Sequence, residues 1–195
     1  MKADSAAGYD KHAQAFLEAR DQSSIGAALV ERWARSLRPG AEVLEIGCGG
    51  GYPITRVLCN AGLNIWALDA SPTLVRKFKA RFPAIPVECA PALWSTFFDR
   101  QFDAVIAIGL MFLLAEKDQL TLIHRMAAVL RDAGQLLFTS PLQPCEWADM
   151  ITGETSRSLG RERYEKILAD AGLRIVAIDT DEGGNNYYRA QRSAA

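Results

Sequence analysis

Short apolar runs alternate with longer stretches of helical periodicity along most of the chain, and this rhythm restricts the fold more than any other feature. Runs dense in Val, Ile and Leu belong to strands buried on both faces, the condition of parallel strands joined by helical crossovers. The pattern predicts strands at Glu42–Gly47, Asn64–Asp69, Pro86–Cys89, Phe102–Gly109, Gln135–Thr139, Arg174–Asp179 and Asn186–Arg192. It predicts helices at Ser24–Leu37, Ile54–Ala61, Pro72–Phe82, Lys117–Leu130 and Arg161–Ala171, with Gly62, Gly134 and Gly172 as helix-ending glycines. Only "DEGGN" separates the last two strands, and so short a gap joins antiparallel neighbours. The expected fold is α/β: a doubly wound, mostly parallel seven-stranded sheet with a C-terminal antiparallel hairpin.

Length and composition fit one globular domain over residues 1–195, with 1–37 a helical region before the sheet core of 38–195. Its formal net charge of -1 gives no general attraction to phosphate or anionic lipid, so neither nucleic acid nor membrane is expected as a partner. The longest apolar run, Ala104 to Ala115, falls well short of the roughly 20 residues that span a bilayer, and the N-terminus is broken by charges. A cytoplasmic location is the expectation. Cys48, Cys59, Cys89 and Cys145 are widely spaced and the chain has 2 histidines, so no metal site is expected.

The stretch "VLEIGCGGGY" ends the first strand in an acid and then packs glycines together. A dinucleotide fingerprint G-x-G-x-x-G begun at Gly47 would place its third glycine on Tyr52, which argues against a nicotinamide-dependent oxidoreductase. The frame that fits is Glu45, then Gly47-Cys48-Gly49-Gly50-Gly51, then Pro53 near a first helical turn. A backbone that bare can pass flat against a ligand. Asp69, at the end of the second predicted strand, can accept two hydrogen bonds from a vicinal diol, while Ser71 and Pro72 also suit the start of the next helix.

Together these residues resemble the class I S-adenosylmethionine-dependent methyltransferases, with "VLEIGCGGG" similar to the first motif of that family. "ALDAS", "FDAVIAIGLMFLL" and "LRDAGQLLFTS" are similar to its second, fourth and fifth strands; Asp132 and Ala133 stand where Pro and Gly are common. The resemblance implies a Rossmann-like methyltransferase fold, S-adenosylmethionine as cofactor with S-adenosylhomocysteine as product, and methyl transfer to a small-molecule acceptor. It implies a cofactor site of Glu45, Gly47, Cys48, Gly49, Gly51, Asp69, Ala70 and Ser71. Ala90, Pro91 and Ala92 would serve the adenine, for which no acid follows the third strand, and Ile108 and Gly109 the floor. By the same resemblance the N-terminal segment forms a lid in which Tyr9 and Arg20 reach the cofactor.

An antiparallel return starts its strand at the ligand edge, so Asp181, Glu182, Asn185, Asn186 and Tyr187 are expected there, together with the irregular segment 140–160. Met111, Phe112, Trp147, Asn186 and Tyr187 are the candidate acceptor contacts, and Asp149, Asp181 and Glu182 suit an amine. Methyl transfer needs alignment and exclusion of water more than a base. His12 is the candidate base, since an imidazole titrates near neutrality. Two further readings stand beside these: a catalytically silent cofactor-binding subunit, and a methyltransferase acting on protein or RNA.

Overall fold

Strand β1 (Glu42–Ile46) lies inside the sheet because Val43, Leu44 and Ile46 are fully buried although they point to opposite faces. The structure is a computed structural model that describes residues 10–193. The strands that follow are β2 (Asn64–Asp69), β3 (Val87–Cys89), β4 (Phe102–Ala107), β5 (Leu130–Thr139), β6 (Pro144–Ala148), β7 (Thr155–Leu159), β8 (Leu173–Thr180) and β9 (Asn186–Arg192). Seven of them form one sheet in the order β3-β2-β1-β4-β5-β9-β8, while β6 and β7 pair as a separate hairpin. β1 to β5 run parallel, and β9 is antiparallel to both β5 and β8. The expected sheet and its closing hairpin are therefore present.

Alternation along each strand sorts the core onto two faces. Val43, Ala104, Ile106, Leu137 and Tyr187 pack with α2 (Ala27–Ala34) and α3 (Ile54–Asn60). Leu44, Val105, Leu136, Phe138 and Tyr188 pack with α5 (Glu116–Ala128) and α6 (Arg161–Asp170). Burying each such aliphatic side chain is worth about 1.5–3 kcal/mol relative to leaving it in water. Two expectations need correction. Gly134 ends no helix: α5 stops at Ala128, and Gly134 lies inside β5, next to the left-handed Ala133 (φ 59°). Segment 140–160 is a regular hairpin rather than an irregular loop.

The N-terminal helix α1 (Ala13–Asp21) lies against α4 (Pro72–Arg81), burying Ala13 and Leu17 beside Leu74. Acids grip α4 at both ends. Asp10 accepts from Ser71 Oγ (2.5 Å) and from Thr73 N (3.0 Å) at its N-terminus, where Ser71 Oγ also accepts from Leu74 N (3.1 Å). At its C-terminus Arg81 pairs with Asp21 and donates to the Gly50 carbonyl (2.9 Å), with its guanidinium over the Tyr52 ring at 4.4 Å.

A buried polar knot roots the β6–β7 hairpin. Tyr164 Oη donates to Gln119 Oε1 (2.6 Å), lies 2.9 Å from Ser140 Oγ and accepts from Leu159 N (3.3 Å). Gln119 Nε2 donates to the carbonyls of Leu114 (3.0 Å) and Arg157 (3.2 Å), and Ser140 Oγ donates to Ser158 Oγ (3.0 Å). Removing the hydroxyl strands buried partners at an expected cost of about 1–3 kcal/mol. Urea denaturation of Tyr164→Phe is therefore expected to show a lower midpoint with an unchanged slope.

Candidate functional site

Strand ends create the site. In a sheet whose order reverses around β1, the crossover helices leave a crevice at the carboxyl edge. A cavity of about 300 Å³ opens there. The end of β1 contributes Glu45, Gly47 and Cys48, and the end of β2 contributes Asp69 and Ala70. The turn after β3 contributes Ala90, Pro91 and Ala92, and the turn after β4 contributes Ile108, Gly109 and Phe112. Tyr187 enters from the start of β9 and Arg20 from the end of α1.

Asp69 organises this edge. Its Oδ2 accepts from Gly49 N (2.9 Å) and its Oδ1 from Ser71 N (2.9 Å), while the Leu68 carbonyl accepts from Gly47 N (2.8 Å) and Cys48 N (3.1 Å). One amide on each carboxylate oxygen leaves further lone pairs for a ligand. Desolvation raises the Asp69 pKa, and the two amides oppose it. Glu45 is more strongly perturbed. Burial pushes its pKa up to about 8, against the opposing bond from Thr55 Oγ1 (2.7 Å). Burial likewise holds the Cys48 thiol well above its ordinary range, so it stays protonated and unreactive.

The far wall carries a second cluster. Tyr187 Oη donates to Asp181 Oδ2 (3.0 Å), and Asn185 Nδ2 donates to both Asp181 oxygens (3.1 and 3.0 Å). Burial and the Asp181 charge hold the Tyr187 hydroxyl far above its usual pKa, so it remains neutral. Arg20 feels both groups, while burial lowers its own pKa. Asp149, at the tip of the β6–β7 hairpin, also faces the cavity; its Oδ1 accepts from Ile151 N, Thr152 N and Thr152 Oγ1.

Several expected contacts lie elsewhere. His12 is exposed at the N-terminal end of α1 and does not line the cavity, so helix geometry turns the expected base toward water. Met111 is fully buried in the core, and Asn186 binds Thr180 Oγ1 while its neighbour Asn185 faces the cavity. Trp147 stands behind Phe112, ring centroids 5.4 Å apart, and reaches the cavity wall only through it. Neither Gly49 nor Gly51 lines the cavity. A Cβ on Gly49 would come within 2.9 Å of the Phe16 ring, and one on Gly51 within 2.3 Å of Phe82, so their bareness serves protein packing at positive φ. Ser71 is spent on the α4 cap, and Tyr9 lies outside the described residues. Ile25, Tyr52 and Thr139 line the cavity without having been expected; Thr139 was legible only as a strand end and Ile25 only as part of a helix.

Among the described residues no group of three or more potential ligands could hold a metal ion, and no helix is long and apolar enough to cross a membrane. A family model described as a methyltransferase domain matches residues 43–134. The chain is 24% identical to a tRNA U34 carboxymethyltransferase of Idiomarina loihiensis over 59% of its own length and 38% of the other. It is 29% identical to a probable S-adenosylmethionine-dependent methyltransferase of Mycobacterium tuberculosis over 70% of its own length and 50% of the other. It thus spans half or less of these two relatives. Its fold superposes on a Burkholderia thailandensis 1,6-didemethyltoxoflavin N1-methyltransferase with a TM-score of 0.78 at 15% identity, covering 96% of this chain and 87% of that one. Through the matched stretch from β1 into β5 and the strand order of its sheet, more than through any single side chain, this chain carries a methyltransferase domain over residues 43–134 and shares the fold of the class I S-adenosylmethionine-dependent methyltransferases.

Proposed function

We propose that the protein holds S-adenosylmethionine in this cavity and transfers its methyl group to a small-molecule acceptor. The observation that carries the reading is the Asp69 carboxylate, fixed by one backbone amide on each oxygen and retaining acceptor capacity toward the cavity. That arrangement suits the two hydroxyls of a ribose. The apolar sides of Ala90, Pro91 and Ala92 suit a flat base beyond it. Glu45 and Arg20 face the cavity as an acid and a base suited to the ammonium and carboxylate of an amino-acid tail.

When bound, the cofactor supplies a sulfonium methyl that is open to in-line displacement. The chain's part is to position and to dry the site. Phe112, Leu113 and Ile25 form apolar walls, and the neutral Tyr187 hydroxyl, committed to Asp181, offers orientation rather than proton abstraction. No histidine lines the cavity among the described residues, so an acceptor that does not arrive nucleophilic would lose its proton to solvent or to a carboxylate such as Asp149.

Thermal unfolding with S-adenosylhomocysteine tests the reading: at about 100 times its dissociation constant the ligand should add about 2.7 kcal/mol, and NAD should add nothing. An absent shift with the sulfur nucleoside would overturn it. By calorimetry, Asp69→Ala is expected to weaken that binding by about 10- to 100-fold, the loss of hydrogen bonds to a charged group.

Glu45 gives a pH signature. Its folded pKa near 8 lies above the ordinary 4.5, so between these values the folded state keeps a proton that the unfolded state has lost. Stability of the empty protein should therefore decline as pH rises through that window, by up to about 1.4 kcal/mol per unit, and level off above it. An ammonium bound beside Glu45 favours the carboxylate, so nucleoside affinity should rise with pH toward 8. Comparing the pH profiles of the parent and Glu45→Gln isolates both effects, since the variant should lose both slopes.

A further inference from the structure

We propose that the acceptor has a small polar head and an apolar body, and that the body lies at the cavity mouth against Ile25, Trp94 and Met150. The inference rests on the methyltransferase reading of the cavity and narrows its acceptor.

Four large apolar side chains are exposed among the described residues: Ile25 (40%), Trp94 (79%), Met150 (98%) and Val176 (42%). Val176 lies on β8, the edge strand of the sheet. Ile25 lines the cavity itself, and the backbones of Trp94 and Met150 adjoin it, each directly following a lining residue, Leu93 and Asp149. They come from three unconnected segments: the turn between α1 and α2, the turn after β3, and the tip of the β6–β7 hairpin. Single exposed apolar residues are ordinary, but their gathering at one rim marks a contact surface.

The backbone under this rim is held in place. Trp94 N donates to the Pro91 carbonyl (2.9 Å), and the turn carrying Met150 is closed by the three donors on Asp149 Oδ1 and by Asp149 N to the Glu154 carbonyl (2.8 Å). Inward of these positions the cavity wall carries the apolar side chains of Leu93 and Phe112.

The test titrates the S-adenosylhomocysteine-loaded protein with n-alkylamines and n-alkyl carboxylates from butyl to dodecyl, each below its micelle-forming concentration, by calorimetry. In at least one series the dissociation constant is expected to fall about fourfold per added methylene until the chain outruns the rim. In the Trp94→Ser, Met150→Ser double variant that slope should flatten while affinity for S-adenosylhomocysteine is retained. Constants independent of chain length, no binding by either series, or a slope that persists in the variant would each overturn the proposal. So would sedimentation showing a dimer of the parent that the variant abolishes, because the rim would then belong to a second copy. Failure of S-adenosylhomocysteine to bind the parent would instead count against the methyltransferase reading itself.

Discussion

The carboxylate of Asp69 is the constraint on which the functional edge depends. Two amides from different loops, Gly49 N and Ser71 N, converge on it, so the loop after β1 and the start of α4 are fixed to the same pair of oxygens. With Gly47 N and Cys48 N tied to the Leu68 carbonyl, the glycine loop hangs from the end of β2 rather than from its own strand. Burial opposes keeping that carboxylate charged, and the amides supply the compensating hydrogen bonds. The same group thus shapes the empty site and faces its ligand.

Around this fixed edge the chain places contrasting surfaces. The core behind it is apolar on both faces of the sheet, whereas the hairpin beside it is held by hydroxyls and an amide, with Tyr164 and Gln119 at the centre. Hydrophobic packing is non-directional, so it fixes the sheet as a body but says little about where a polar ribbon such as β6–β7 should lie. Hydrogen bonds among Ser140, Ser158, Tyr164 and Gln119 supply that direction.

This contrast also decides what the amino-acid order made legible. The inner strands β1 and β4 announce themselves because burial on two faces demands apolar runs rich in Val, Ile and Leu, and the short "DEGGN" joint forces β8 and β9 together. The β6–β7 hairpin carried no such signal: its buried positions on β7 are Ser156 and Ser158, small polar residues of which Ser158 is held by Ser140 from outside the hairpin. Side-chain direction was the weaker reading at the site. Asp69, Glu45 and Tyr187 follow from strand ends, yet His12, Met111 and Asn186 turn away by a small rotation or a single residue of register. The glycines were read as clearance for a ligand, while at Gly49 and Gly51 the neighbours needing clearance are Phe16 and Phe82.

Helix α1 has a consequence for how far this chain can be shortened. It contributes no strand and little of the core, so a version begun at Ile25 would keep every layer of the sheet. It would nevertheless lose Asp10 from the amide and the hydroxyl that open α4, and Asp21 from the arginine that closes it. Phe16 and Leu17 would no longer pack against Gly49 and Gly50, and the cavity would lose Phe16 from its wall. The damage would surface well downstream of the cut, in the glycine loop and in α4, the two elements that flank Asp69.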